Sequence, residues 1–214
     1  GLVVAVNPKN DWATCLTTAE LKKIWEPNSK VKTWRDVNPQ FPAKPIKLYG
    51  PDPDSGTFDY FTEAINGKEG AIRREFTPSS DDNVLVQGVS QDPAALGYFG
   101  LAYYEENQDK LKLVGVDGGS GCVEPSVATV NSGTYKPLSR PLFIYVREDA
   151  AAQPAVQAFV KFYLENAGEL VKSVGYVPLP DELYQAALQR FEKRVTGTIY
   201  KTDADKAKSL QELL

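Results

Sequence analysis

The feature that most restricts the fold is a pair of unbroken apolar runs, Leu2-Val3-Val4-Ala5-Val6 and Leu142-Phe143-Ile144-Tyr145-Val146. A strand with one wet face alternates polar and apolar side chains. A short run rich in β-branched and aromatic residues that does not alternate reads as a strand buried on both faces. Between the two runs, strand-like and helix-like stretches follow one another through residues 1–138. From 147 to 197 the apolar residues recur at helical spacing. The 214 residues suit one large or two small domains.

Within the mixed half, one stretch has chemical interest. Ile46 to Gly50 reads as a strand, and Pro51-Asp52-Pro53-Asp54 as a turn. From Thr57 onward Phe58, Phe61 and Ile65 share one helical face, and Asn66-Gly67 is a good stop. Ser55-Gly56 therefore stands at a helix start. The first N–H groups of a helix have no internal partner, and the dipole is positive there. Ser55, Gly56 and Thr57 would complete an oxyanion cradle, with two hydroxyls and a backbone that an anion can approach. The competing reading is that Ser55 or Asp54 only caps the helix.

The other segments are less informative. Thr17-x-x-Glu20 has capping-box spacing ahead of Leu21, Ile24 and Trp25, and Pro27 ends that helix. Residues 28–45 read as irregular. Arg73-Arg74 reads as a charge clamp or as a solvated pair opposing Glu69 and Glu75. Asp81 sits in a second cap sequence before Val84-Leu85-Val86 and Val89. A glycine-flanked strand is expected near Tyr98, a helix from Leu101, a strand over 111–116 and a hairpin turn over 117–121. Ser132-Gly133-Thr134 repeats the cradle triplet without a following helix. Three helical stripes follow, at Val156 to Leu164, Leu170 to Val174 and Tyr184 to Val195. Residues 203–214 read as a frayed helix or a tail.

Composition removes several function classes. The net charge is −4 and no basic run exists, which argues against a nucleic-acid surface. No apolar run approaches the roughly 18 residues of a membrane-spanning helix. There is no histidine, so His triads and His metal sites are excluded. Cys15 and Cys122 lack metal-site spacing and form either one disulfide or two thiols. No G-x-S-x-G or S-x-x-K stands in a catalytic context, and the aspartates at 52, 54, 59, 81 and 82 miss the calcium-loop pattern. No cofactor is expected. The chain begins at Gly1 and contains no methionine, so a processed or partial chain is expected.

Four strings together carry a resemblance. Val6-Asn7-Pro8-Lys9-Asn10, Leu21-Lys22-Lys23-Ile24-Trp25, Asp54-Ser55-Gly56-Thr57-Phe58-Asp59-Tyr60-Phe61 and Pro137-Leu138-Ser139-Arg140-Pro141-Leu142 resemble the phosphate-binding proteins of bacterial ABC transporters, cyanobacterial-type branch. The resemblance implies an α/β periplasmic-binding-protein type II fold. It makes residues 1–138 a second α/β lobe, and 139–214 a returning hinge strand with C-terminal helices of the first lobe. It assigns inorganic phosphate to Asp54, Ser55, Gly56 and Thr57, and an ABC permease as partner. No enzymatic activity is implied. The family's arginine four residues before the cradle serine is Pro51 here, and Arg73 is the substitute candidate. Nothing matches the family's N-terminal half-lobe, so weak or no phosphate binding is expected, with self-association or a swapped partner through stripes at Phe159, Tyr163 and Phe191. A periplasmic or extracellular location follows and favours a Cys15–Cys122 disulfide. The alternatives are a module of the same fold for another oxyanion or a protein, and a hydrolase.

Overall fold

The computed structural model describes residues 1–202 and 210–213. These divide into two compact units, Gly1–Ser139 and Arg140–Leu214. In the first unit the chain runs β1 (Leu2–Val6), β2 (Cys15–Thr17), α1 (Thr18–Trp25), α2 (Trp34–Val37), β3 (Lys47–Pro51) and α3 (Gly56–Asn66). It continues through β4 (Thr77–Ser79), α4 (Asp82–Gln91), β5 (Ala95–Gly100), α5 (Leu101–Glu105), β6 (Lys112–Asp117), β7 (Cys122–Val123) and α6 (Val127–Asn131).

The strands form one mixed sheet in the order β2-β6-β1-β5-β3-β4, with β7 added to β6. β1 is antiparallel to both neighbours, whereas β3 runs parallel to β4 and β5. Every residue of β1 is buried, as its unbroken apolar run requires. α1, α3 and α4 supply the covering layers, with Leu21, Ile24 and Trp25, then Phe58, Phe61 and Ile65, then Leu85, Val86 and Val89 turned inward. The strand expected near Tyr98 is β5, at the centre of the sheet. Tyr98 stacks on Phe61 at 3.7 Å and meets Trp25 edge-on at 5.1 Å. That cluster fixes α3 and α1 on one face.

Local rules account for the helix ends. Thr17 and Glu20 form the expected capping box. Gly67 ends α3 at φ 84°, in the left-handed region that favours glycine. Asp81 caps α4. The 117–121 segment is the expected turn, held by Asp117 Oδ1 accepting from Gly119 N and Gly121 N. It delivers Cys122 to a disulfide with Cys15, which ties β7 to β2 on either flank of β6.

The second unit contains α7 (Pro154–Ser173), α8 (Asp181–Glu192) and α9 (Leu210–Leu213). The two stripes expected over 156–174 belong to the single helix α7. It packs against α8 and buries Val160, Leu164 and Ala167. The expectation of a buried strand at 142–146 is corrected. The segment forms no strand, and Leu142, Phe143, Ile144 and Tyr145 are exposed, Tyr145 at 89%. Apolar pattern marks a strand only where a ladder partner exists, and none occurs for this segment among the described residues. Of the expected tail, residues 203–209 and 214 lie outside the described residues.

Candidate functional site

Three parallel strands end on the same edge of the sheet, and each feeds a helix: β3 into α3, β4 into α4, β5 into α5. Ligands of open α/β sheets bind outside such carboxyl ends. The register places Pro51 of β3 beside Ser79 of β4, and Asp52 N donates to Ser79 O at 3.2 Å. Asp52 then organises the turn. Its Oδ1 accepts from Asp54 N at 3.1 Å, and its carbonyl accepts from Ser55 N at 3.1 Å. The chain is thereby delivered to α3 with Ser55 as the cap.

Ser55 Oγ accepts from Thr57 N at 3.2 Å, and Ser55 O accepts from Asp59 N at 3.1 Å. The cap reading is therefore correct as far as it goes. It does not exhaust the donors. Among the described residues, Gly56 N, Phe58 N and the hydroxyls of Ser55 and Thr57 donate to no other group. Gly56 is exposed, while Ser55 and Thr57 are half-buried. A Cβ at Gly56 would meet no atom within 4 Å, so neither packing nor a positive φ demands glycine there. The space above the first turn of α3 is open to a ligand. Four donors at the positive pole of an eleven-residue helix can replace the water of a tetrahedral oxyanion.

Asp54 is exposed beside this turn, and its side chain contacts none of the four donors. Arg73 is not brought to it. Its Nη1 donates to Ile24 O at 3.1 Å, to Val31 O at 3.0 Å and to Ser29 Oγ at 3.4 Å, and its backbone N to Trp25 O at 3.0 Å. The residue is 8% exposed, with Glu75 3.5 Å from Nε. It serves the C-terminal carbonyls of α1. Asn66, at the last turn of α3, reaches the same Trp25 carbonyl at 3.3 Å. Arg73 therefore sits at the opposite end of α3 from Ser55, roughly 15 Å along the helix axis. Sequence reasoning had no signal for this clamp, because its acceptors are mostly main-chain carbonyls far back in the chain. Arg74, by contrast, is exposed.

Two open clefts of the first unit lie elsewhere. One is lined by Lys47, Tyr49, Glu75 and Thr77, the other by Asn7, Lys9, Ser90 and Lys110. Neither includes the cradle. Among the described residues no acidic or cysteine cluster could hold a metal, and no helix is long and apolar enough to cross a membrane.

A βα edge that offers unused donors can take an anion, and comparison with known proteins places the chain in a family. The family described as the PBP superfamily domain matches residues 1–167. The chain belongs to that family. It is 50% identical over 216 residues to the protein SphX of Synechocystis sp., covering 100% of this chain and 64% of the relative. It is 41% identical over 208 residues to the phosphate-binding protein PstS of Staphylococcus saprophyticus, covering 96% and 63%. The chain thus spans less than two thirds of the length of these relatives. The crystal structure of a possible phosphate binding protein from Planctomyces limnophilus is similar at 48% identity and TM-score 0.85, over 92% of this chain and 70% of that one. An ABC-type phosphate transport receptor from Vibrio cholerae, 21% identical at TM-score 0.70, shares the fold.

Proposed function

We propose that this chain is the phosphate-capturing part of the substrate-binding component of a phosphate ABC importer, with one wall of the site formed by Ser55, Gly56 and Thr57. The observation that carries the reading is the set of unused donors at an α3 N-terminus whose glycine is required by nothing in the fold. Support comes from the similarity to proteins named SphX and PstS. Asp54 flanks the wall as a carboxylate able to accept from a protonated oxyanion. Arg73 stands outside the wall, at the far end of α3, with its Nη1 on Ile24 O, Ser29 Oγ and Val31 O.

The chain works as a binding protein rather than an enzyme, outside the cytoplasmic membrane, and hands phosphate to a permease. Residues 139–214 are the returning segment and C-terminal helices of the family's first lobe. The exposed side of α7, with Phe159, Phe162, Tyr163 and Leu170, serves a partner or a second copy.

Ser55→Ala combined with Thr57→Val removes two hydroxyl donors. Charge-assisted bonds of this kind are worth about 1.5–3 kcal/mol each, so calorimetry on the full-length parent should show phosphate affinity lowered by roughly a hundredfold or more. Unchanged affinity would remove the cradle assignment. Competition by sulfate or arsenate as strong as phosphate would favour the module for another oxyanion.

A further inference from the structure

One phenol links the cradle helix to the segment that closes the first unit. Tyr60 follows Gly56 by four residues and Thr57 by three, so it lies on their face of α3, one turn further on. Its Oη donates to the carbonyl of Pro137. Residues 135–139 are fastened in turn. Tyr135 Oη donates to Leu2 O at 2.8 Å, Leu2 N donates to Leu138 O at 2.8 Å, and Ser139 Oγ donates to Tyr135 O. Tyr135 and Leu138 are fully buried, and Leu2 opens β1 at the middle of the sheet. The Tyr135 hydroxyl is pushed far above its ordinary range by burial and secondly by the Tyr60 phenol beside it.

The two ends of α3 are held differently. Its later turns are fixed by Phe61 on Tyr98, by buried Ile65 and by Asn66 on Trp25 O. Its first turn stands half-exposed at the sheet edge, with Phe58 as its only buried side chain. Directional N–H donors serve an anion only if held within about 0.5 Å of the productive geometry. The lateral tie closest to those donors on their own face is the Tyr60 hydroxyl.

We infer that Tyr60 is a positioning residue: through Pro137 O it braces the first turn of α3 against the buried knot of Leu2, Tyr135 and Leu138, and so sets where the Gly56 and Phe58 amides point. The consequence for ligand affinity rests on the phosphate reading of that turn. The placement of the amides does not.

Two variants of the full chain separate this role from a general contribution to folding. Tyr60→Phe and Tyr135→Phe each delete one hydroxyl-to-carbonyl bond of the same knot, and both should lower the thermal midpoint. Only Tyr60 stands on α3. In Tyr60→Phe the amide resonances of Gly56, Thr57 and Phe58 should move, and their hydrogen exchange should quicken several-fold. In Tyr135→Phe those amides should keep their wild-type behaviour. Titration with inorganic phosphate, read on the same amides, should give an apparent affinity several-fold weaker in Tyr60→Phe alone. Undisturbed amides in Tyr60→Phe, or equal disturbance in both variants, would overturn the inference. Wild-type amides that ignore phosphate would overturn the phosphate reading instead, with the exchange comparison still deciding the role of Tyr60.

Discussion

Arg73 brings a permanent positive charge to a position that is 8% exposed and uses it on the main chain. Helix α1 ends there with carbonyls that have no internal partner, and a cation at a helix C-terminus is favourable. Arg73→Met would leave the carbonyls of Ile24 and Val31 without that donor. We expect a loss of about 3 kcal/mol in urea unfolding, with phosphate affinity of the folded protein unchanged in calorimetry. A second residue gives a pH dependence. The carboxyl of Asp82 is held above the usual carboxylate range, first by burial and then by the charge of Asp81, with the Tyr103 hydroxyl opposing. The folded protein therefore binds more protons than the unfolded chain between the two values. Stability from the protonated form is fully present below the ordinary carboxylate range, near 4, and is lost as pH rises through the raised value. Melting across pH should show Asp82→Asn gaining on the wild type over that window and level beyond it. At this scale the sequence was legible only where chemistry is local. Ser55 and Asp81 announce caps by type and position. The carbonyl acceptors of Arg73 Nη1, at Ile24 and Val31, lie 42 to 49 residues away and carry no side-chain signature.

Elements differ in how much of their stability is their own. α1 and α3 carry caps, stops and apolar faces within their own residues, so both could be read before any partner was known. β2, β4 and β7, of two or three residues each, have no pattern long enough to read. β2 and β7 exist because β6 lies between them and because Cys15 and Cys122 join them. The bond closes a sequence separation of 107 residues. A loop of that size restricts the unfolded chain by about 4.7 kcal/mol in the chain-entropy model. Reduction, or Cys15→Ser with Cys122→Ser, should lower the stability of the first unit by up to about that amount, measured by urea titration with and without reductant. Residues 142–146 show the opposite case. Their pattern is as strand-like as that of β1, yet they form no strand among the described residues. Pattern states what a segment can bury, and the partner decides whether it does.

At the scale of the molecule, apolar surface is distributed unevenly. The buried core cluster lies wholly within Gly1–Ser139. Among the described residues of the second unit the buried apolar ones are Ala151, Val160, Leu164, Ala167 and Leu183, while Phe159 remains 64% and Phe162 59% exposed. Phe191, expected to be exposed, is half-buried, with the Arg194 guanidinium over its ring at 4.9 Å. Water-exposed aromatic area on this scale favours association. Sedimentation over a concentration series should show self-association of the chain, and Phe159→Glu with Phe162→Glu should shift it towards monomer without altering the unfolding of the first unit. That unit has one more property. Leu2 N meets Leu138 O at 2.8 Å, so its two ends lie side by side where β1 begins, in the middle of the sheet. A few glycines could join them, and the chain could be reopened at the exposed 118–121 turn to give a circular permutant with the same core. Such a permutant would carry its new termini beside Cys122, whose disulfide to Cys15 leaves no thiol for a dye, so a reporter domain would be fused at the termini themselves.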